Sequence, residues 1–187
     1  MPRAPLLPIV RWLAAVLVLA LCGGASPARA DEAAQVQALL RQGQTAEALL
    51  RVERALAQQP TDHRLRFLKG VILAEQGKSS EAIALFSQLV QERPELPEPY
   101  NNLGVVLAQS GQLDKARAAF EMAVRLKPDY ATAHENLGDV HAKLAAQSYG
   151  RAADLSPGQP GVTAKLEAAR KLASGRLSAP PPSGARR

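Results

Sequence analysis

Three histidines, one cysteine and a scatter of carboxylates are the residues of this chain best equipped for chemistry. His134 and His141 have the most suggestive spacing, because both fall in a stretch with the composition of a helix. Seven residues apart, they share a face but stand about 10 Å apart along its axis. Two ligands of one metal ion on a helix want a spacing nearer three or four residues, so no metal site is expected there. Both are read as packing residues between helices, while His63 begins a segment near a turn and has no obvious partner. Acidic residues come singly, often with a basic neighbour one turn away, as in Glu121 and Arg125, which marks solvated helix faces. Gly158-x-x-Gly161 sits in a proline-broken linker rather than in a phosphate loop. No serine stands in a nucleophile-elbow context. These residue types assemble no catalytic constellation, and neither enzyme activity nor a metal or cofactor is expected.

The elements that carry these residues are helices. Ala, Leu, Gln and Arg dominate and β-branched and aromatic residues are scarce, which favours helix over sheet. Leu103-Gly104-x-x-Leu107, then Ala116, Phe120, Ala123 and Pro128, are echoed upstream by Gly70, Leu73, Ala82, Phe86, Leu89 and Pro94. A fainter copy runs Leu39, Ala48, Val52, Ala55 and Pro60, so that equivalent prolines and alanines recur every 34 residues. Each copy reads as an apolar helix A, a glycine turn (Gly43-Gln44, Gly77-Lys78, Gly111-Gln112), an amphipathic helix B and a terminating proline. In the third copy helix A is expected over Pro97–Ser110 and helix B over Leu113–Leu126. Gly104 and Ala116 would let the two helices approach closely, with Leu103, Leu107, Phe120 and Ala123 filling the space around them.

The 34-residue period with this pattern resembles the tetratricopeptide repeat (TPR), a helix–turn–helix unit that stacks into a solenoid. The resemblance implies an all-α fold, a TPR-type helical-hairpin solenoid with a C-terminal capping helix. The array is expected over residues 31–157, in units of about 31–62, 63–96, 97–130 and a degenerate 131–157. That last unit opens with His134-x-x-Leu137-Gly138-x-x-His141 and closes with Tyr149, Ala152, Leu155 and Pro157. Its span from Gly138 to Pro157 is 19 residues against 24 from Gly104 to Pro128, and the missing five include the glycine turn. One continuous helix from about Thr132 to Leu155 is therefore expected. After the linker Ser156–Gly161, an amphipathic helix within residues 160–174 presents Val162, Leu166, Ala169 and Leu172 on one side, as a solvating cap would.

Proteins of this family bind extended or helical peptides along the concave face lined by their A helices. Carried over unit by unit, the resemblance places the groove on Arg64, Phe67, Val71 and Glu75, then Glu98, Asn101, Asn102 and Val105, and finally Glu135, Asn136 and Asp139. Asn102 and Asn136 match the asparagine that in this family often bonds the ligand backbone. Glu98, Glu135 and Asp139 stand where the chaperone-tail-binding subset of the family carries cations and asparagines, so that mode is not expected. An acid-biased groove with Arg64 at one end suits a ligand bearing some positive charge.

The formal charge of +6 suggests nucleic acid until its position is considered. Arg3, Arg11 and Arg29 lie in a leader and Arg176, Arg186 and Arg187 in a tail, which leaves seventeen basic against seventeen acidic side chains between Asp31 and Ala173. A neutral core does not make a phosphate-binding surface, and no nucleic-acid partner is expected. Residues 1–30 read as a secretory signal: Arg3 and Arg11, an apolar run from Trp12 to Cys22, and a cleavage site at Ala28-x-Ala30. The apolar run is shorter than the roughly 20 residues of a membrane span, and no span is expected after cleavage. Leu19-Ala20-Leu21-Cys22 is similar to a bacterial lipid-attachment motif, but Leu21 stands where a small residue belongs. Residues 175–187, with Pro180-Pro181-Pro182, are expected to form a disordered tail.

The expectation for function is a protein-binding scaffold or adaptor of the bacterial periplasm, acting in envelope assembly or maintenance, with a protein or peptide in the concave groove. Weak self-association is left open. Two alternatives stay alongside it: an accessory subunit of an envelope enzyme complex, such as a cytochrome maturation or cell-wall system, and an outer-membrane-anchored lipoprotein of a pilus or assembly machine.

Overall fold

Apolar residues three and four apart, punctuated by glycine and proline at fixed offsets, fold as consecutive helical hairpins. The computed structural model describes residues 28–174 and 177. The signal segment before Ala28, Cys22 within it, and the tail apart from Leu177 lie outside the described residues. The helices are α1 (Ala28–Arg41), α2 (Thr45–Gln58), α3 (His63–Glu75), α4 (Ser79–Glu92), α5 (Pro97–Gln109), α6 (Leu113–Leu126), α7 (Ala131–Leu155) and α8 (Pro160–Ala173).

Three turns share one construction. Gly43, Gly77 and Gly111 adopt φ of 72°, 73° and 77°, a left-handed conformation that costs glycine little. The residue after each returns its N–H to a carbonyl in the last turn of helix A: Gln44 to Leu39, Lys78 to Leu73 and Gln112 to Leu107, all at 2.9 Å. That bond satisfies a carbonyl the helix would otherwise leave open. Between units, Asp62 caps α3, its Oδ1 accepting from the N–H groups of Arg64 (2.9 Å) and Leu65 (3.0 Å). Pro97 and Pro99 occupy the first turn of α5, where a missing N–H is harmless.

Within a unit the two helices meet over a glycine. A Cβ on Gly104 would lie 2.6 Å from Cε1 of Phe120, and one on Gly70 would lie 2.7 Å from Cε1 of Phe86. Both phenyl rings are fully buried, as are Ala82 and Ala116. Truncating such a ring to alanine costs about 3–5 kcal/mol. One apolar cluster joins α3 to α7 through Val71, Phe86, Val105, Phe120 and Val140, and a second joins α1, α2 and α3 through Val36, Val52, Leu65 and Ile72. Successive units thus cover one another's apolar faces, which a lone hairpin could not do.

The fourth unit breaks the pattern. Helix α7 runs unbroken for 25 residues, about 37 Å, through the place where the earlier hairpins turn. Gly158 (φ 86°) then reverses the chain, and α8 returns along the C-terminal half of α7, with Lys165 Nζ 5.9 Å above the Tyr149 ring. Leu166 and Ala169 are buried and α8 caps the array. Leu172, expected on the same face, is 68% exposed, because α8 has only α7 to pack against among the described helices. The missing helix B also accounts for the histidines, which were expected to pack. His134 and His141 are both exposed, and Gly138 between them has nothing within 4 Å of its Cβ position. They occupy interface positions whose partner helix lies farther along α7. His134 instead bonds the Pro128 carbonyl through Nε2 at 2.9 Å.

Candidate binding groove

Helices α1, α3, α5 and α7 touch their counterparts in neighbouring units, whereas α2, α4 and α6 make no such contact with one another. The A helices therefore form the inner, concave side of the curve. Along it, Arg64, Glu75 and Glu135 are exposed, and Phe67, Glu98 and Asp139 are half-buried. Phe67 is held by the Phe86 ring, centroid to centroid 5.8 Å at a tilt of 56°. A cleft of about 350 Å³ brings Arg64, Phe67 and Glu98 together with Gln37, His63 and Pro99. It does not include Glu135, Asn136 or Asp139, which stand on the next A helix.

The three asparagines differ from their expected role as groove contacts. Asn101 and Asn136 have no exposed surface and Asn102 is 4% exposed. Asn102 donates Nδ2–H to the Glu98 carbonyl of its own helix at 2.9 Å. Asn136 donates Nδ2–H to Asn101 Oδ1 at 3.0 Å, tying α7 to α5. A buried amide is costly without a partner, so this pair reads as a polar link between units. Val71 and Val105, also expected on the groove, are 7% and 4% exposed and belong to the core cluster. Helices that lie side by side on the inside of a tight curve shade the residues between them, which the repeat register alone does not show.

Electrostatics add two features. Burial pushes the Glu75 carboxyl up from its ordinary value, against a hydrogen bond with Thr45. Burial also pushes the Tyr130 hydroxyl up, and the nearby Glu98 carboxylate pushes it further. Tyr130, at the junction of the third and fourth units, was not singled out by sequence, nor were the cleft residues Gln37 and His63 as site residues. The only sequence signal for His63 and Tyr130 is their place at the first and last positions of a repeat. On the outer side, a crevice of about 440 Å³ between α4, α5 and α6 is lined by Ile83, Tyr100, Leu103 and Met122. Among the described residues no group of three His, Cys, Asp or Glu side chains converges as metal ligands would. None of the described helices is long and apolar enough to cross a membrane.

Comparison with known proteins agrees with this geometry. Family models described as "Tetratricopeptide repeat" and "TPR repeat" match residues 33–97 and 106–144. The chain is a tetratricopeptide-repeat protein, and such proteins generally act as protein-interaction scaffolds. No curated protein matches the sequence. Among solved structures, the chain is similar to a thermophilic TPR protein of Thermus thermophilus, at 25% identity and a TM-score of 0.58 over 78% of this chain and 82% of that one. The first TPR domain of the human RPAP3 protein matches with a TM-score of 0.59 at 17% identity, over 63% of this chain and 92% of that one. A chain of the Naa15/Naa10 complex bound to HypK-THB matches 76% of this chain at 21% identity and a TM-score of 0.56. This chain covers only 22% of that longer one.

Proposed function

We propose that this protein is a periplasmic scaffold that holds an extended segment of a protein partner against α3, α5 and α7. The observation that carries the reading is the cleft where Arg64, Phe67 and Glu98 meet on the inner face. A half-buried aromatic ring beside one cation and one carboxylate offers apolar contact area flanked by charges of both signs. Glu135 and Asp139 continue the acidic character along α7, so a ligand with net positive charge is favoured. The periplasmic placement, and with it a role in envelope assembly or maintenance, is supported by the sequence of the leader and by family analogy.

The test is cross-linking and co-purification of the full-length protein from its own cell envelope, repeated with Glu135→Lys and Asp139→Lys together. Loss of the captured partner with the fold intact is the expected result. Undiminished capture would sink the groove assignment.

A further inference from the structure

Leu177 lies four residues beyond the end of α8, outside every helix, yet it is only 7% exposed. It belongs to the apolar cluster that contains Val71, Val105, Ala108 and Val140. Three of these, Val71, Val105 and Ala108, stand on A helices and are themselves 4–7% exposed. Helix α8 touches only α7 among the described helices, so cap packing does not account for this burial. The chain re-enters the solenoid after leaving its last helix.

We propose that the inner groove is held by the chain's own C-terminal segment, residues 177–187, anchored through Leu177, so that a partner gains access by displacing it. This rests on the groove reading above and specifies its ligand: an apolar anchor residue followed by an extended, basic, proline-rich stretch. Three observations support the choice of occupant. The anchor is already seated. The sequence after Ser174 carries three arginines and no carboxylate side chain, opposite in sign to Glu98, Glu135 and Asp139. The reach is also adequate. Ten residues beyond Leu177, extended by the triple proline at about 3.1 Å each, cover about 31 Å. Two inter-helix spacings of about 10 Å separate α7 from α3. Tethering also favours the tail over a free ligand, because a short linker raises its effective concentration toward the millimolar range.

The experiment measures binding of a fluorescent peptide of residues 175–187 to the full chain, as wild type, as Leu177→Asp and as Leu177→Ala. Fluorescence anisotropy reads the affinity, and circular dichroism checks that each variant keeps its helices. The peptide is expected to bind both variants at least tenfold more tightly than wild type. A peptide carrying Asp in place of its own leucine is expected not to bind. Equal affinity for all three chains, or binding to none, overturns the proposal. Sedimentation showing that wild type is a dimer that Leu177→Asp dissolves would place the tail in a second copy and overturn the intramolecular form. These failures leave the groove reading standing if partner capture still responds to Glu135→Lys and Asp139→Lys.

Discussion

The same substitution at equivalent glycines of the third and fourth units is expected to have opposite signs. Gly104→Ala introduces a Cβ that lies 2.6, 2.7 and 2.8 Å from three carbons of the Phe120 ring. Comfortable carbon contacts are about 3.5–4.0 Å, so the ring must retreat by about 1 Å. It is fully buried and has no free volume to enter. Overpacking of this kind costs about 1–3 kcal/mol, and replacing glycine within a helix returns about 1 kcal/mol. The expected net effect is destabilisation by about 1–2 kcal/mol. Gly138→Ala meets nothing within 4 Å, so it keeps the propensity gain alone and stabilises by about 0.5–1 kcal/mol. Urea unfolding followed by circular dichroism measures both, and for a chain of this size 1 kcal/mol moves Tm by about 2–4 °C. Shortening the ring with Phe120→Leu should relieve part of the penalty in the Gly104→Ala background, a coupling that a double-mutant cycle isolates. Effects of the same sign at the two glycines would refute the reasoning. Helix α7 would then carry a partner over Gly138, or Phe120 would have room to move.

Asn136→Ala is expected to cost about 1–3 kcal/mol, because Asn101 Oδ1 loses its donor in a buried site, and hydrogen exchange should quicken first in α7. The hydrogen bond from Arg66 holds the Glu92 carboxyl below 4.5, its ordinary value here, and the charge of Arg66 adds to that. Because the folded state depresses this group, its stabilising contribution is present above the unfolded value and fades as pH falls through the folded one. Glu92→Gln should therefore flatten the acid limb of a Tm–pH profile, and an unchanged profile would exclude this pair as a contributor. Leu166→Ala should loosen α8 and expose the C-terminal half of α7 to exchange while sparing α3 to α6, given that α8 touches only α7 among the described helices. Intact-mass measurement of the secreted protein should give an N-terminus at Asp31. A mass carrying lipid on Cys22 would select the anchored alternative.

What the sequence determined by itself is the local grammar. Helix α6 begins and ends where the spacing of apolar residues and the Gly111 and Pro128 punctuation placed it, at Leu113 and Leu126. The unbroken α7 was legible in the absence of a turn glycine between Gly138 and Pro157. These are properties of nearby residues, decided by backbone conformation and by the i, i+4 spacing of side chains. Exposure across units was not legible in the same way. Asn101, Asn102 and Asn136 carry a surface-like composition at inner-face positions, yet close approach of α5 and α7 buries them. His134 and His141 hold interface positions and are bare, because their partner helix is displaced along α7. Leu177 looked like part of a passive tail and is buried with valines as far back in the chain as Val71. Only the tertiary structure decides such cases, because burial depends on which distant segment returns to cover a surface, and the repeat pattern is silent about that.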